Sequence, residues 1–297
     1  MPFLSSPRMA MFREAVWLAM IPGALFFAYL QTVGYLQAGH VGMDSHAYWV
    51  AVRDPATWYT LPPEYTDAYL YSPAFAQILS PMAPLSWPAF RVTWMLLSAG
   101  TLTWLLAPLG WRRGLTLAPF FVTDLLLGNV YSVFAAALVL GLTRCPGALA
   151  LPLLTKIAPG VVCVWFLVRR EWGKAGWAAG ATLVITSLSF LIEPAGWMRW
   201  FQFLFSASTG ERGGLVSVRL LVALALVVWA ARLDRAWLLA PALLLAAPVV
   251  GGFGSLAVLA AIPRLRRVAA RSDAEADEPG RQMRLVGAKE TTVHGTP

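Results

Sequence analysis

Long apolar runs separated by short charged breaks dominate the chain. The first, Ala15 to Leu36, is long enough to cross a bilayer at about 1.5 Å per residue. Arg8 and Arg13 precede it, which predicts residues 1–13 on the cytoplasmic side. Residues 37–86 are polar and rich in proline and aromatics. Their charges are Asp44, Arg53, Asp54, Glu64 and Asp67, so the segment is expected as an outer-face loop. Its later part, Ser72 to Leu85, is interrupted by Pro73, Pro81 and Pro84 and reads as a short helix in the outer interface. A second span covers about Phe90 to Leu109 and ends at Trp111-Arg112-Arg113, a cytoplasmic pattern.

The remaining runs are less regular. Residues 115–143 break at Gly128-Asn129 and form one kinked span or two half-spans. Ala148 to Val168 ends at Arg169, Arg170 and Lys174. If those cations are inside, Arg144 belongs outside and 115–143 crosses once in net terms. Further runs cover about 176–192 and 214–231, with an outer segment 194–213 between them and Arg232 and Arg235 beyond. Residues 236–262 contain Gly251-Gly252-Phe253-Gly254 and precede Arg264, Arg266 and Arg267, which suggests a hairpin of two short helices. The pattern predicts an all-α, multi-pass membrane domain over 14–268, with roughly eight membrane segments. A polar cytoplasmic tail over 269–297 is expected to be disordered.

Composition agrees. Of 297 residues 58% are hydrophobic and only 13% charged, with a mean hydropathy of +0.63. A water-soluble fold could not hide that much apolar surface behind so few charges. A soluble enzyme, a disordered protein and a disulfide scaffold are therefore excluded. The net charge of +8 sits in short clusters at the ends of apolar runs, not in a stripe, which argues against nucleic-acid binding. Cys145 and Cys163 have no paired spacing and read as small hydrophobes. His40 and His46 stand near Asp44, but three irregularly spaced candidates make no metal site.

Charge inside a bilayer costs at least a few kcal/mol, so it marks a cavity, a partner or a substrate. Asp124 and Lys156 both lie well inside apolar runs. Either they neutralise each other, or Lys156 meets an anionic lipid phosphate in the outer half of the membrane. Pro159 would loosen the helix beside it. On composition alone, Asp44 is a solvated carboxylate near the end of the first span.

The order of features is more specific than any single one. Asp44-x-x-x-Tyr48 follows the first span. Trp58-Tyr59, Tyr71-Ser72-Pro73-Ala74-Phe75 and Pro81-Met82-Ala83-Pro84-Leu85 come next, with Trp87 leading into the second span. Gly128-Asn129, Lys156-x-x-Pro159 and Gly196-Trp197-Met198-Arg199-Trp200 come later. Over roughly residues 14–235 this resembles glycosyltransferase family 87, in the C-type superfamily of integral-membrane glycosyltransferases. The resemblance implies a helical bundle in the plasma membrane. It also implies a polyprenyl-phosphate sugar donor, chiefly mannose, and an envelope glycolipid or glycan acceptor, with no cofactor and no metal. It makes Asp44 the catalytic base of an inverting transfer.

The departing phosphate then needs cations. Lys156, Arg219 and Arg91 are the candidates, beside Arg144 and Arg212; snorkelling to lipid headgroups is the better explanation for Arg91, Arg144 and Arg212 and an equal one for Arg219. Tyr48, Trp58, Tyr59 and Tyr71 share the Asp44 segment and are the candidate sugar- and acceptor-binding aromatics, although interface belts account for most aromatics in such chains. Two rival readings stand beside this one. One is a transporter or flippase of a lipid-linked anion that uses an Asp124–Lys156 pair. The other is an inactive structural homologue.

Overall fold

Helix is the only regular structure among the described residues of the computed structural model, which are 7–63, 65–156, 158–208, 213–247 and 253–267. A chain in lipid must satisfy its own backbone, and helices do so locally. In chain order the α-helices are α1 (Pro7–Gln37), α2 (Met43–Arg53), α3 (Pro73–Leu79), α4 (Trp87–Leu106), α5 (Trp111–Leu117), α6 (Val122–Leu127) and α7 (Tyr131–Thr143). They continue with α8 (Ala150–Thr155), α9 (Val164–Val168), α10 (Trp172–Ile192), α11 (Pro194–Ser208), α12 (Gly213–Arg232) and α13 (Leu239–Ala246). The tail expected over 269–297 lies outside the described residues.

Among the described residues, three helices are long and apolar enough to cross a membrane: α1 from Met11, α4 extended to Leu109, and α10. Their outward side chains, such as Phe26, Leu30, Leu96, Leu183 and Leu188, are exposed, as lipid contact requires. The 20-residue α12 packs on α13 and α9. One end of the bundle gathers the charges. There Glu14 meets Arg113 at 2.5 Å, Arg169 meets Glu171 and Asp234, and Arg264 donates to the Trp104 carbonyl at 2.8 Å. We refer to this as the basic end. The opposite, aromatic end carries α2, α3 and the amphipathic α11.

The segment 37–86 is not an open loop hanging at a surface. It folds into α2, α3 and short 3-10 turns, and α3 buries Pro73, Ala74, Phe75 and Ala76. Its aromatics supply the apolar area that a polar loop would lack.

The broken runs correct the expected topology. At Gly128–Val130 the chain turns through 116°, so α5–α6 and α7 are not one straight span and α7 heads back toward the basic end. Arg144, expected at the far face, lies close enough to Arg264 for their charges to repel, and Arg264 is anchored at the basic end of α4. The next segment doubles back as well. A Cβ at Gly160 would overlap Leu153, and Ala150 and Leu154 pack with Trp197 and Trp200 of α11, yet the chain returns to Arg169 at the basic end. In the third broken run α13 packs on the 3-10 stretch Gly254–Ala261, with the Arg266 guanidinium 4.8 Å from the Trp237 ring; residues 248–252 between them lie outside the described residues.

The limbs run from 10 residues (Pro146–Thr155) to 17 (Trp111–Leu127), a helical rise of about 15–25 Å. Charge bias reads which side a run ends on only if the run crosses. A Cys placed at Arg144 should therefore react with a membrane-impermeant maleimide from the same side as a Cys placed at Arg112. Labelling from opposite sides would restore the single crossing.

Candidate active site

The first two hairpin tips meet the α2–α3 segment at the aromatic end, and Gly254 lies beside the first of them. The N-terminus of α2 begins at Gly42, whose φ of +83° suits glycine. The Gly42 N–H donates to the Leu126 carbonyl at the first tip at 2.6 Å, and a Cβ at Gly128 would overlap Ser45. Two backbones therefore meet where neither tolerates a side chain. Asp44 sits in the first turn of α2, where a carboxylate complements the helix dipole. Its Oδ2 accepts from Asn129 Nδ2 at 2.6 Å.

The first tip satisfies its polar groups one by one. The Gly128 and Asn129 N–H groups donate to the Leu125 and Asp124 carbonyls. The Val130 N–H donates to Asn129 Oδ1 at 2.7 Å, and Trp94 Nε1 donates to the Asn129 carbonyl at 3.3 Å. Such closure is what allows an irregular turn at membrane depth.

The second tip delivers Lys156. Its Nζ donates to the Tyr131 hydroxyl at 3.3 Å and lies 4.5 Å from the Tyr131 ring and 5.2 Å from the Tyr71 ring. Two ring faces stabilise an ammonium without using all its N–H groups. Asp44 and Lys156 are electrostatically coupled but form no direct ion pair, so each retains capacity for a substrate. Burial pushes the Asp44 carboxyl above the ordinary aspartate range, while the Lys156 ammonium and the Asn129 amide pull it back. The net direction is upward, toward a better proton acceptor.

Tyr71 belongs to this cluster; its hydroxyl lies 3.0 Å from that of Tyr48. Tyr48 is 0% exposed, packed edge-on against Phe75 and Trp94, so its ring has no free face for a sugar. Trp58 is 3% exposed and donates to the Ala51 carbonyl at 2.8 Å, also a core post. Tyr59 donates to the Tyr71 carbonyl at 2.6 Å and stacks on Phe203. Tyr48 and Trp58 order the segment around Asp44 from within the core, and the half-buried Tyr59 ties that segment to α11.

Of the arginines, Arg219 donates to the Ala247 carbonyl at 2.7 Å, beyond the end of α13, where a cation answers the helix dipole. Arg91 lies over Trp87 at 5.7 Å, with its stem against Gly42, on the α4 side of Asp44. Arg144 is remote and Arg212 lies outside the described residues. His46 turns to Asp67 at 2.6 Å, not to Asp44.

The Asp124–Lys156 pair is not formed. Asp124 is fully buried and faces Ser132 and the N–H groups of Tyr131 and Ser132 at the start of α7, although none closes as a geometric hydrogen bond.

The chain matches the sequence profile of glycosyltransferase family 87 over residues 69–277. It belongs to glycosyltransferase family 87. No curated protein and no solved structure gives a significant match. The family 87 region takes in Tyr71, Asn129, Tyr131 and Lys156 but begins after α2, so Asp44 earns its place by geometry. Membership makes the chain a membrane glycosyltransferase.

Sequence reasoning assigned no role to Asn129 or Tyr131. The available signal was a Gly-Asn break in an apolar run, where an amide in lipid needs a partner.

Proposed function

We propose that this family 87 chain transfers a hexose, mannose in our reading, from a polyprenyl-phosphate donor to an envelope glycolipid or glycan, with inversion at the anomeric carbon. The basic end faces the cytoplasm and the aromatic end the outer side of the plasma membrane, following the positive-inside bias. The observation that carries the reading is the placement of Asp44 and Lys156 at one site, coupled but unpaired.

The chemistry follows from the leaving group. Glycoside hydrolases need a second carboxyl as acid because an alkoxide leaves poorly. A polyprenyl phosphate departs as a stabilised anion, so one carboxylate suffices. The acceptor oxygen forms its bond to C1 as the C1–O bond to phosphate breaks. The electron pair goes to the phosphate, and the hydroxyl proton goes to Asp44. Lys156 answers the charge that accumulates on the phosphate. The polyprenyl phosphate is a substrate, and the step calls on no cofactor.

The test is transfer from radiolabelled polyprenyl-phosphate mannose in membranes containing the full chain. A labelled, lipid-extractable or glycan-bound product with inverted linkage is expected. Retained configuration, or labelling only from a nucleotide sugar, rules the proposal out.

A further inference from the structure

The Asn129 side chain has only one orientation open to it. Its Oδ1 accepts from the Val130 N–H, so the nitrogen must be the group aimed at Asp44, where it donates to Oδ2. A free amide would present oxygen or nitrogen with equal ease; the Val130 N–H removes the first option. Asn129 is 8% exposed, and a Cβ at Gly254 would lie 3.9 Å from its nitrogen. Two residues on, Tyr131 receives Lys156. One tight turn thus holds both charged groups of the site.

We infer that Asn129 is a positioning residue for Asp44: its locked amide occupies Oδ2 and leaves Oδ1 as the oxygen that takes the acceptor's proton. The inference rests on the reading of Asp44 as the base. The amide also favours the ionised carboxylate, in the same direction as Lys156. The other titratable and charged groups around Asp44 are Asp124 from α6, Tyr48 from α2, Tyr71 before α3 and Arg91 from α4. All are unchanged by a substitution at 129.

The experiment is the pH profile of kcat/KM in the full chain, with labelled donor, for wild type, Asn129→Leu and Asn129→Asp, each also in an Asp44→Asn background. Asn129→Leu should move the acid limb upward by about one pH unit, with donor KM unchanged and activity recovering at high pH. Asn129→Asp should move it further, because two carboxylates at hydrogen-bonding distance do not ionise together. In the Asp44→Asn background neither change should lower the residual rate further. A uniform loss at every pH with an unmoved limb, or equal losses in both backgrounds, removes Asn129 alone. Transfer that survives Asp44→Asn removes the base and Asn129 with it. If Asn129→Leu does not fold, Asn129→Asp has the native shape and carries the same test.

Discussion

Asp44→Asn should reduce glycosyl transfer by about 10²- to 10⁴-fold, the usual contribution of a positioned general base. The substitution keeps the shape of the side chain and its place in the first turn of α2, but removes the atom that takes the proton. Donor binding should persist, because Lys156 is held by Tyr131 and Tyr71 and not by Asp44. The wild-type rate should rise with pH as the carboxyl deprotonates. Burial raises that carboxyl, so the rise falls above the range of an exposed aspartate. The variant should lose this limb altogether. A loss below ten-fold, or a variant that keeps the same acid limb, would show that the proton goes elsewhere.

Lys156→Met should have the next largest effect. Removing one charge-stabilising donor from a preorganised site costs about 10²- to 10³-fold in kcat, and the donor KM should rise as well, since the ammonium is proposed to bind the same phosphate in the ground state. Methionine preserves length and apolar contact with both rings, which separates loss of charge from loss of packing. A second, independent signature follows from coupling. The ammonium favours the ionised Asp44, so its removal should move the acid limb of the pH profile upward. Unchanged donor KM together with an unmoved limb would mean that Lys156 is a structural cation and that the phosphate is held by another group.

Both effects depend on groups that are far apart in the chain. Asp44 and Asn129 are 85 residues apart, and Lys156 reaches them from a third segment. The sequence pattern placed Asp44 and Lys156 in one reading only through family resemblance. The aromatics were harder. Tyr48 and Trp58 stand in the segment beside Asp44, and residue type alone does not distinguish a sugar platform from a membrane belt or a core. Burial decides it, and burial depends on which helices cover them. Arg219 looked like a phosphate ligand because it is a cation in an apolar run. The carbonyls that it caps belong to a helix end more than twenty residues on, which no local pattern displays.

What the sequence by itself determined is the solvent. Too many apolar residues and too few charges commit the chain to lipid, and lipid commits it to helices, because backbone groups must pair within their own segment. It also located two of the breaks in those helices, the Gly128-Asn129 turn and the loosened segment at Lys156. Only the tertiary structure decided direction. Hydropathy reports how deep a residue lies, not whether the chain passes through or turns back. Two runs read as crossings are hairpins, and Arg144 changed sides with them. The same folding back brings two tips to one place beside α2, which is how a carboxylate, an amide and an ammonium from distant segments become a site.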